Sequence, residues 1–218
     1  MTVTKKTSVA RIPRKVISPY RVEFSARAHL DDWDEVEAIT EVRGDIIHVG
    51  RNEEETSVGL LRGWCIRSAR VTESGDDFLN VCDRAGQEMC DIAALVWDSG
   101  EDAYRDALEL GMPIGDLLVP STIEIVPEHR GKDVGLLTVW RFLDYFGSGA
   151  TLAVLKPHPL HEHSEPALKN GIAKLKGHWS RLGFRPLPTS CSTGSLTASD
   201  FFFLDMAQMR PRLEDLLK

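Results

Sequence analysis

Apolar and polar residues alternate in three early segments, RVEFSARAHL, DIIHVG and SVGLLRGWCIRSARV, which are broken by Gly44, Gly50 and Gly59. Alternation puts every second side chain on one face, so these segments predict neighbouring strands joined as antiparallel hairpins. Beyond them the period changes: Phe78, Cys82, Ala85, Met89, Ile92 and Val96 recur at spacings of four and three, which predicts one helix of about five turns with a core-facing stripe. A shorter helical piece is expected around EDAYRDALELG, closed by Gly111 and Pro113. GDLLVPSTIEIVP then reads as an extended strand with an irregularity at Pro120, which has no N–H to give a ladder.

The next helix begins near Val134 and ends at Gly147. It is apolar nearly all round, interrupted by Thr138, Arg141 and Asp144, so it should be covered on most sides. The strand ATLAVLKPHPL follows. Ser164, Glu165 and Pro166 signal a further helix whose buried stripe is Leu168, Ile172, Leu175, Trp179 and Leu182, closed by Gly183. A last hydrophobic strand, FFFLDM, is preceded by TSCSTGSLTAS, which reads as a surface loop. No internal repeat is visible.

Composition narrows the class. With 218 residues, 42% of them hydrophobic, the chain can bury one substantial core. Residues 1–20 read as a basic arm or first strand, and 21–218 as one domain. There is no apolar run of about 18 residues to span a membrane, and the N-terminal stretch lacks the apolar centre of a secretory signal. Pro13 and Pro19 would interrupt the amphipathic helix of a transit peptide. Four cysteines without a Cys-x-x-Cys pair fit a reducing cytoplasm. A formal charge of -7 argues against a general nucleic-acid binder, because phosphate neutralisation needs a basic face. Lys5, Lys6, Arg11, Arg14, Lys15 and Arg21 crowd the start, and an acidic stretch from Asp31 to Glu55 follows. Its plain reading is solvated surface; the sharper one is that acidic loops attract a cationic amine.

Chemistry concentrates in STIEIVPEHRGKDVGLLTVWRFLDYF, where a strand runs through Arg130, Gly131 and Gly135 straight into the apolar helix. Backbone amides at a helix start have no internal partners and lie at the positive end of the dipole, so such a joint suits phosphate. Arg130 and Lys132 add charge. The pattern is neither a Walker loop nor the three-glycine dinucleotide fingerprint.

IEIVPEHRGKDVGLL resembles the acetyl-CoA signature of the GNAT superfamily of acyl-CoA-dependent N-acyltransferases. KLKGHWSRLGF is similar to that superfamily's late helix ending in Leu-Gly-Phe. The two matches cover roughly residues 117 to 184, while the first half of the chain matches loosely. The resemblance implies an α/β (α+β) GNAT-like fold, a mixed, mostly antiparallel central sheet flanked by helices. It implies a transferase that moves an acetyl group from acetyl-CoA to a primary amine, of a small molecule or a protein, by direct attack on the thioester. Ile125, Val126 and Pro127 would present backbone to the pantetheine arm and thioester. The amides of Arg130, Gly131, Lys132, Asp133, Val134, Gly135 and Leu136 would cradle the pyrophosphate. Two positions depart from the pattern. Asp133 replaces a glycine, where it would either crowd the phosphates or cap the helix. Trp179 stands where many members carry a tyrosine acting as general acid.

An attacking amine must lose a proton and the thiolate must gain one. Glu124 and Asp116 are the candidates for the base, and His178, beside Trp179, for the acid. A rival constellation is His158, His161, Glu162 and His163; its spacing matches no standard zinc motif, so no metal ligand is assigned. Three readings stay open: an N-acetyltransferase, a non-catalytic acyl-CoA-binding or interaction module of the same fold, and a metal-dependent activity on the histidine loop. The acceptor is not named by the sequence, and a homodimer is left open.

Overall fold

The computed structural model describes residues 19–27, 38–160, 164–208 and 216. The basic residues of positions 1–18, the acids of positions 28–37 and three of the rival cluster, at 161–163, lie outside them. Seven strands form one sheet in the order β1-β2-β3-β6-β7-β9-β8: β1 (Tyr20–Arg27), β2 (Ile39–Val49), β3 (Glu55–Ile66), β6 (Asp116–Ile125), β7 (Ala150–Leu155), β9 (Phe202–Asp205) and β8 (Arg185–Pro186). Every pairing is antiparallel except β6 with β7. Helices α1 (Ser68–Ser74), α2 (Phe78–Ala85) and α3 (Gln87–Val96) come before the small hairpin β4 (Trp97–Asp98) and β5 (Ala103–Tyr104). Helix α4 (Val134–Phe146) connects β6 to β7, and α5 (Glu165–Ser180) follows β7. This is the mixed, mostly antiparallel sheet flanked by helices that the resemblance implies.

Strand alternation builds two cores from one sheet. Leu117, Val119, Leu152, Val154 and Phe203 join Phe78, Cys82, Met89 and Ile92 of α2 and α3 on one face. Leu118, Ala153, Leu155, Phe202 and Leu204 join Leu136, Val139, Phe142 and Leu143 of α4 and Trp179 of α5 on the other. Thr138, a polar interruption of the α4 pattern, is buried, and its hydroxyl donates to the Val134 carbonyl at 2.8 Å. A hydroxyl satisfied one turn back can be buried at little cost.

Four local expectations are corrected. The five-turn helix is two helices, α2 and α3, broken at Gly86 with φ 120° and ψ 170°, a conformation that suits glycine. Asp77 caps α2 by accepting from the Leu79 amide at 3.1 Å, a second start signal inside what periodicity reads as one stripe. The stretch around residues 101–111 makes β5 and one 3-10 turn, Asp106–Leu108, in place of a helix. The SARV of the third early segment leaves the sheet and begins α1. The Ser/Thr-rich segment is no mere surface loop, since Cys191 and Ala198 are fully buried in the α2–α3 core.

Helix α5 is covered more loosely than its stripe predicts: Trp179 is buried, but Leu168, Ile172 and Leu175 are only half-buried. Among the described residues no helix is long and apolar enough to cross a membrane.

Packing across the central strands is tight at Gly63, where an added Cβ would meet the Val119 carbonyl at 2.9 Å and the Phe142 ring at 3.0 Å. Gly63→Ala is expected to lower stability by about 1–3 kcal/mol, read as a fall in the denaturant midpoint with unchanged slope.

Candidate functional site

The site is made by a strand that leaves its neighbour. β6 pairs with β3 along nearly its whole length, from Leu117 opposite Ile66 to Ile125 opposite Gly59. With β7 it pairs only at Asp116, Leu117 and Leu118. The register against β3 shifts between Arg62 and Gly63, opposite Thr122 and Pro120, so Ser121 is an extra, unpaired residue. A bulge bends its strand and adds twist, and Pro120 has no N–H to give. Together they bend β6, and beyond Leu118 it has no ladder to β7, which leaves a gap in the pairing in the middle of the sheet.

On the α4 side of this gap lies the turn that the sequence singles out. The Val126 amide donates to the Val58 carbonyl at 2.9 Å, so β3 holds the strand end. Pro127–His129 forms a 3-10 turn, and the Arg130 Nε donates to the Ile125 carbonyl at 2.8 Å, folding the turn back on its own strand. Tyr20 and His48 brace it: the Tyr20 hydroxyl is 3.0 Å from Nδ1 of His129, and the His48 and His129 ring centroids are 5.0 Å apart. Partial desolvation, Lys132 and His48 all hold the His129 imidazole below its ordinary pKa.

Gly131, with φ 73°, and Asp133, with φ 56°, make two left-handed steps before α4 starts. The first helical bond runs from the Leu137 amide to the Asp133 carbonyl. Among the described residues the amides of Gly131, Lys132, Asp133, Val134, Gly135 and Leu136 therefore donate to no backbone carbonyl. Open space surrounds Gly131, whereas Gly135 lets α4 rest on Ile123 and Ile125. Consecutive free amides in such a turn form a concave anion nest at a helix N-terminus.

Asp133 occupies the N-cap position but makes no side-chain cap. Its carboxylate instead takes a forked pair of bonds from Arg181, at 2.6 and 2.8 Å, tying the start of α4 to the end of α5. The Arg181 hydrogen bonds hold the Asp133 carboxyl below its ordinary pKa. His178 belongs to the same group: it is half-buried, stacks edge-on against Trp179 at 4.8 Å, and desolvation pushes its pKa down, with Asp133 opposing the shift. Trp179 is buried core.

The opposite side of the gap carries different chemistry. Ile123 and Ile125 face α4, so Glu124 between them stands on the other face, exposed. On that face the Ser121 hydroxyl donates to Oε2 of Glu88, which is half-buried in the first turn of α3. Asp116 lies elsewhere, at the paired end of β6, five residues or about 16 Å along the strand from Ser121. Burial raises its pKa and Arg67 opposes the shift.

Of the sequence candidates, the residues of the turn come together with His178, and Glu124 stands across the sheet from them. Sequence reasoning missed Glu88, Ser121 and Arg181. A hydroxyl beside a strand proline and an acid opening a helix were the only signals for the first two, and Arg181 carried none. Among the described residues no group of three or more His, Cys, Asp or Glu could hold a metal ion; His158 is exposed.

No family model and no curated protein matches the sequence. Among solved structures, a mutant of KacT is similar at 12% identity and TM-score 0.39, over 76% of this chain and 71% of that one. NAA60 of Arabidopsis thaliana in complex with acetyl-CoA is similar at 14% identity and TM-score 0.39, over 75% and 76%. The Drosophila melanogaster polyamine N acetyltransferase is similar at 15% identity and TM-score 0.36, over 75% and 74%. Likenesses this distant assign the chain no activity.

Two outcomes follow from the cluster at the α4 and α5 ends. Replacing a capping aspartate costs about 1 kcal/mol with alanine but only about 0.3 kcal/mol with glycine. Asp133→Gly should cost nothing measurable, because relief of the left-handed backbone, about 1 kcal/mol, offsets an exposed ion pair worth no more than about 1 kcal/mol; matched denaturation curves check it. For His178, the unfolded chain takes up a proton near the ordinary pKa of 6.5 and the folded chain only below it. Stability is then full above about pH 6.5 and falls as pH drops through the lowered value. His178→Gln should flatten that part of a plot of Tm against pH.

Proposed function

We propose that this protein transfers an acetyl group from acetyl-CoA to a primary amine. The observation that carries the reading is the bulge at Ser121, which parts β6 from β7 with an anion nest on one side of the gap and a carboxylate on the other. A thioester threaded through the gap would meet both. Acetyl-CoA supplies an activated acyl carbonyl on a long arm that ends in phosphates, and each part has a matching group here. The free amides of residues 131–136, with Arg130 and Lys132 nearby, suit the diphosphate. The edge of β6 beyond Leu118, which has no ladder partner in β7, offers main-chain groups to the pantetheine arm. Val126 and Pro127 follow at its end.

Glu88 is our choice of base. It is half-buried, its carboxylate is oriented by the Ser121 hydroxyl at the bulge itself, and it lies on the face from which an amine would approach. An ammonium has no lone pair, so Glu88 takes a proton before the nitrogen attacks the carbonyl carbon. The C–N bond then forms, the C–S bond breaks, and the second proton that the acylated nitrogen loses passes to the departing thiolate. Glu124 stands on the same face and is the alternative base. Asp116 is too far along the strand. His178, held neutral near pH 7, suits proton return less well than a protonated imidazole would, and it sits with Asp133 and Arg181 at the phosphate end.

The Asp133–Arg181 pair favours a second reading, in which the chain binds acyl-CoA without turnover, since Arg181 is already engaged by a carboxylate at the start of α4. Acetyl-CoA titration by calorimetry with thiol-release assays over an amine panel separates the two. On the first reading, Glu88→Gln lowers kcat by about 10²–10⁴-fold with an unchanged acetyl-CoA Kd, Glu124→Gln does less, and Asp133→Gly tightens acetyl-CoA by releasing Arg181 to the phosphates. Tight binding without thiol release from any amine would select the second.

A further inference from the structure

The face of the sheet that carries Glu88 continues as an open surface over β3, β2 and β1, beyond the reach of α1–α3. A cavity of about 260 Å³ opens there, lined by Ser25, Glu41, Arg43 and Arg62. Its size suits a small solute; drug-sized ligand sites run from about 300 to 1,000 Å³, and a macromolecule needs far more surface. Its charges are unevenly satisfied. Arg43 is bound by Asp45 through both Nε and Nη2 at 3.0 Å. Arg62 and Glu41 make no ion pair among the described residues.

Register sets how these charges lie. Ser25, Arg43, Arg62 and Thr122 lie in one row across four strands, and Glu41 is in the next row, at a register position between Arg27 and Trp64. Arg62 and Glu41 are thus diagonal neighbours, with backbones roughly 7–8 Å apart, and their side chains do not meet. Arg43 directly opposite Arg62 is a like-charge pair, which is unfavourable unless an anion sits between the guanidiniums. An ammonium and a carboxylate carried on one carbon would complement these two side chains: the carboxylate to Arg62, with the Ser25 hydroxyl close by, and the ammonium to Glu41.

The row also points at the gap. Thr122, beside Arg62, adjoins the bulged Ser121 that holds Glu88. From Arg62 to the bulge at Ser121 is about one strand spacing, roughly 5 Å, which a side chain of three or four methylenes spans. We propose that the acceptor is an α-amino acid whose side chain ends in the reacting amine, held by Arg62 and Glu41 while that amine meets Glu88. This rests on the acetyl-transfer reading above.

The test compares L-lysine with 1,5-diaminopentane, which lacks the carboxylate, and 6-aminohexanoate, which lacks the α-ammonium, using the full chain and acetyl-CoA. The wild type is expected to favour lysine at least ~10-fold in kcat/KM over either analogue. Arg62→Ala and Glu41→Gln are expected to erase that preference through KM, and Arg62→Lys to restore part of it. Arg62 is exposed, so an unchanged denaturation midpoint checks that the variants fold. A diamine used as well as lysine, or a lysine preference that survives Arg62→Ala, overturns the proposal while leaving acetyl transfer intact. Calorimetric titration of lysine into the protein with CoA present isolates the other failure. Lysine bound by wild type but not by Arg62→Ala, with no acetyl transfer, keeps the pocket and sinks the transferase reading. Neither binding nor transfer overturns the pocket.

Discussion

Everything in this molecule that can do chemistry depends on one irregularity in β6. A regular parallel ladder between β6 and β7 would close the sheet and leave only two packed faces. Pro120 removes a donor, Ser121 adds a residue, and the strand bends away after three paired positions. The cost is an edge of β6 that keeps its ladder to β3 but has none to β7, and backbone groups there are left for other partners. An extended ligand lying along that edge would supply them, so the defect that weakens the sheet also specifies the shape of what it should hold.

The two faces of the sheet divide the work. Packing of Ile123 and Ile125 against α4 fixes the helix start, with its free amides, beside the strand end. On the other face the break at Gly86 lets α3 begin anew, with Glu88 in its first turn close to the bulge. A single continuous helix over residues 78–96 would have offered no second N-terminal turn there. The Asp133–Arg181 pair then joins α4 to α5, the helix least covered by the core. An exposed fork of this kind contributes little stability; its consequence is electrostatic, for Asp133 takes up the charge of Arg181 at the start of α4.

Much of the frame was legible in the sequence, because periodicity reports burial directly. The strand ending at Ile125, the apolar helix closed by Gly147 and the Pro-initiated helix after Ser164 all form where pattern and cap residues place them. The misreadings share a cause. Residues 78–96 keep a helical stripe across Gly86 because both helices face the same core, so the period alone cannot see the break. The Ser/Thr-rich segment reads as surface by composition, yet Cys191 and Ala198 are carried into the core by long-range packing.

For the candidate site the division is sharper. The sequence by itself determined the order of strands and helices from β6 onward and the glycine and basic residues of the turn before α4, since these follow from local conformational freedom and spacing. It also located the anomaly at Pro120. Only the tertiary structure decided which partners those residues meet: that Asp133 pairs with Arg181 rather than capping, that Asp116 stands far from the gap, and that Glu88 and Ser121 face one another 33 positions apart in the chain. The physical reason is that capping, turn and period preferences act over a few residues. A charged or hydroxyl side chain takes whichever partner the sheet register and helix packing bring within reach, and no local pattern encodes that choice.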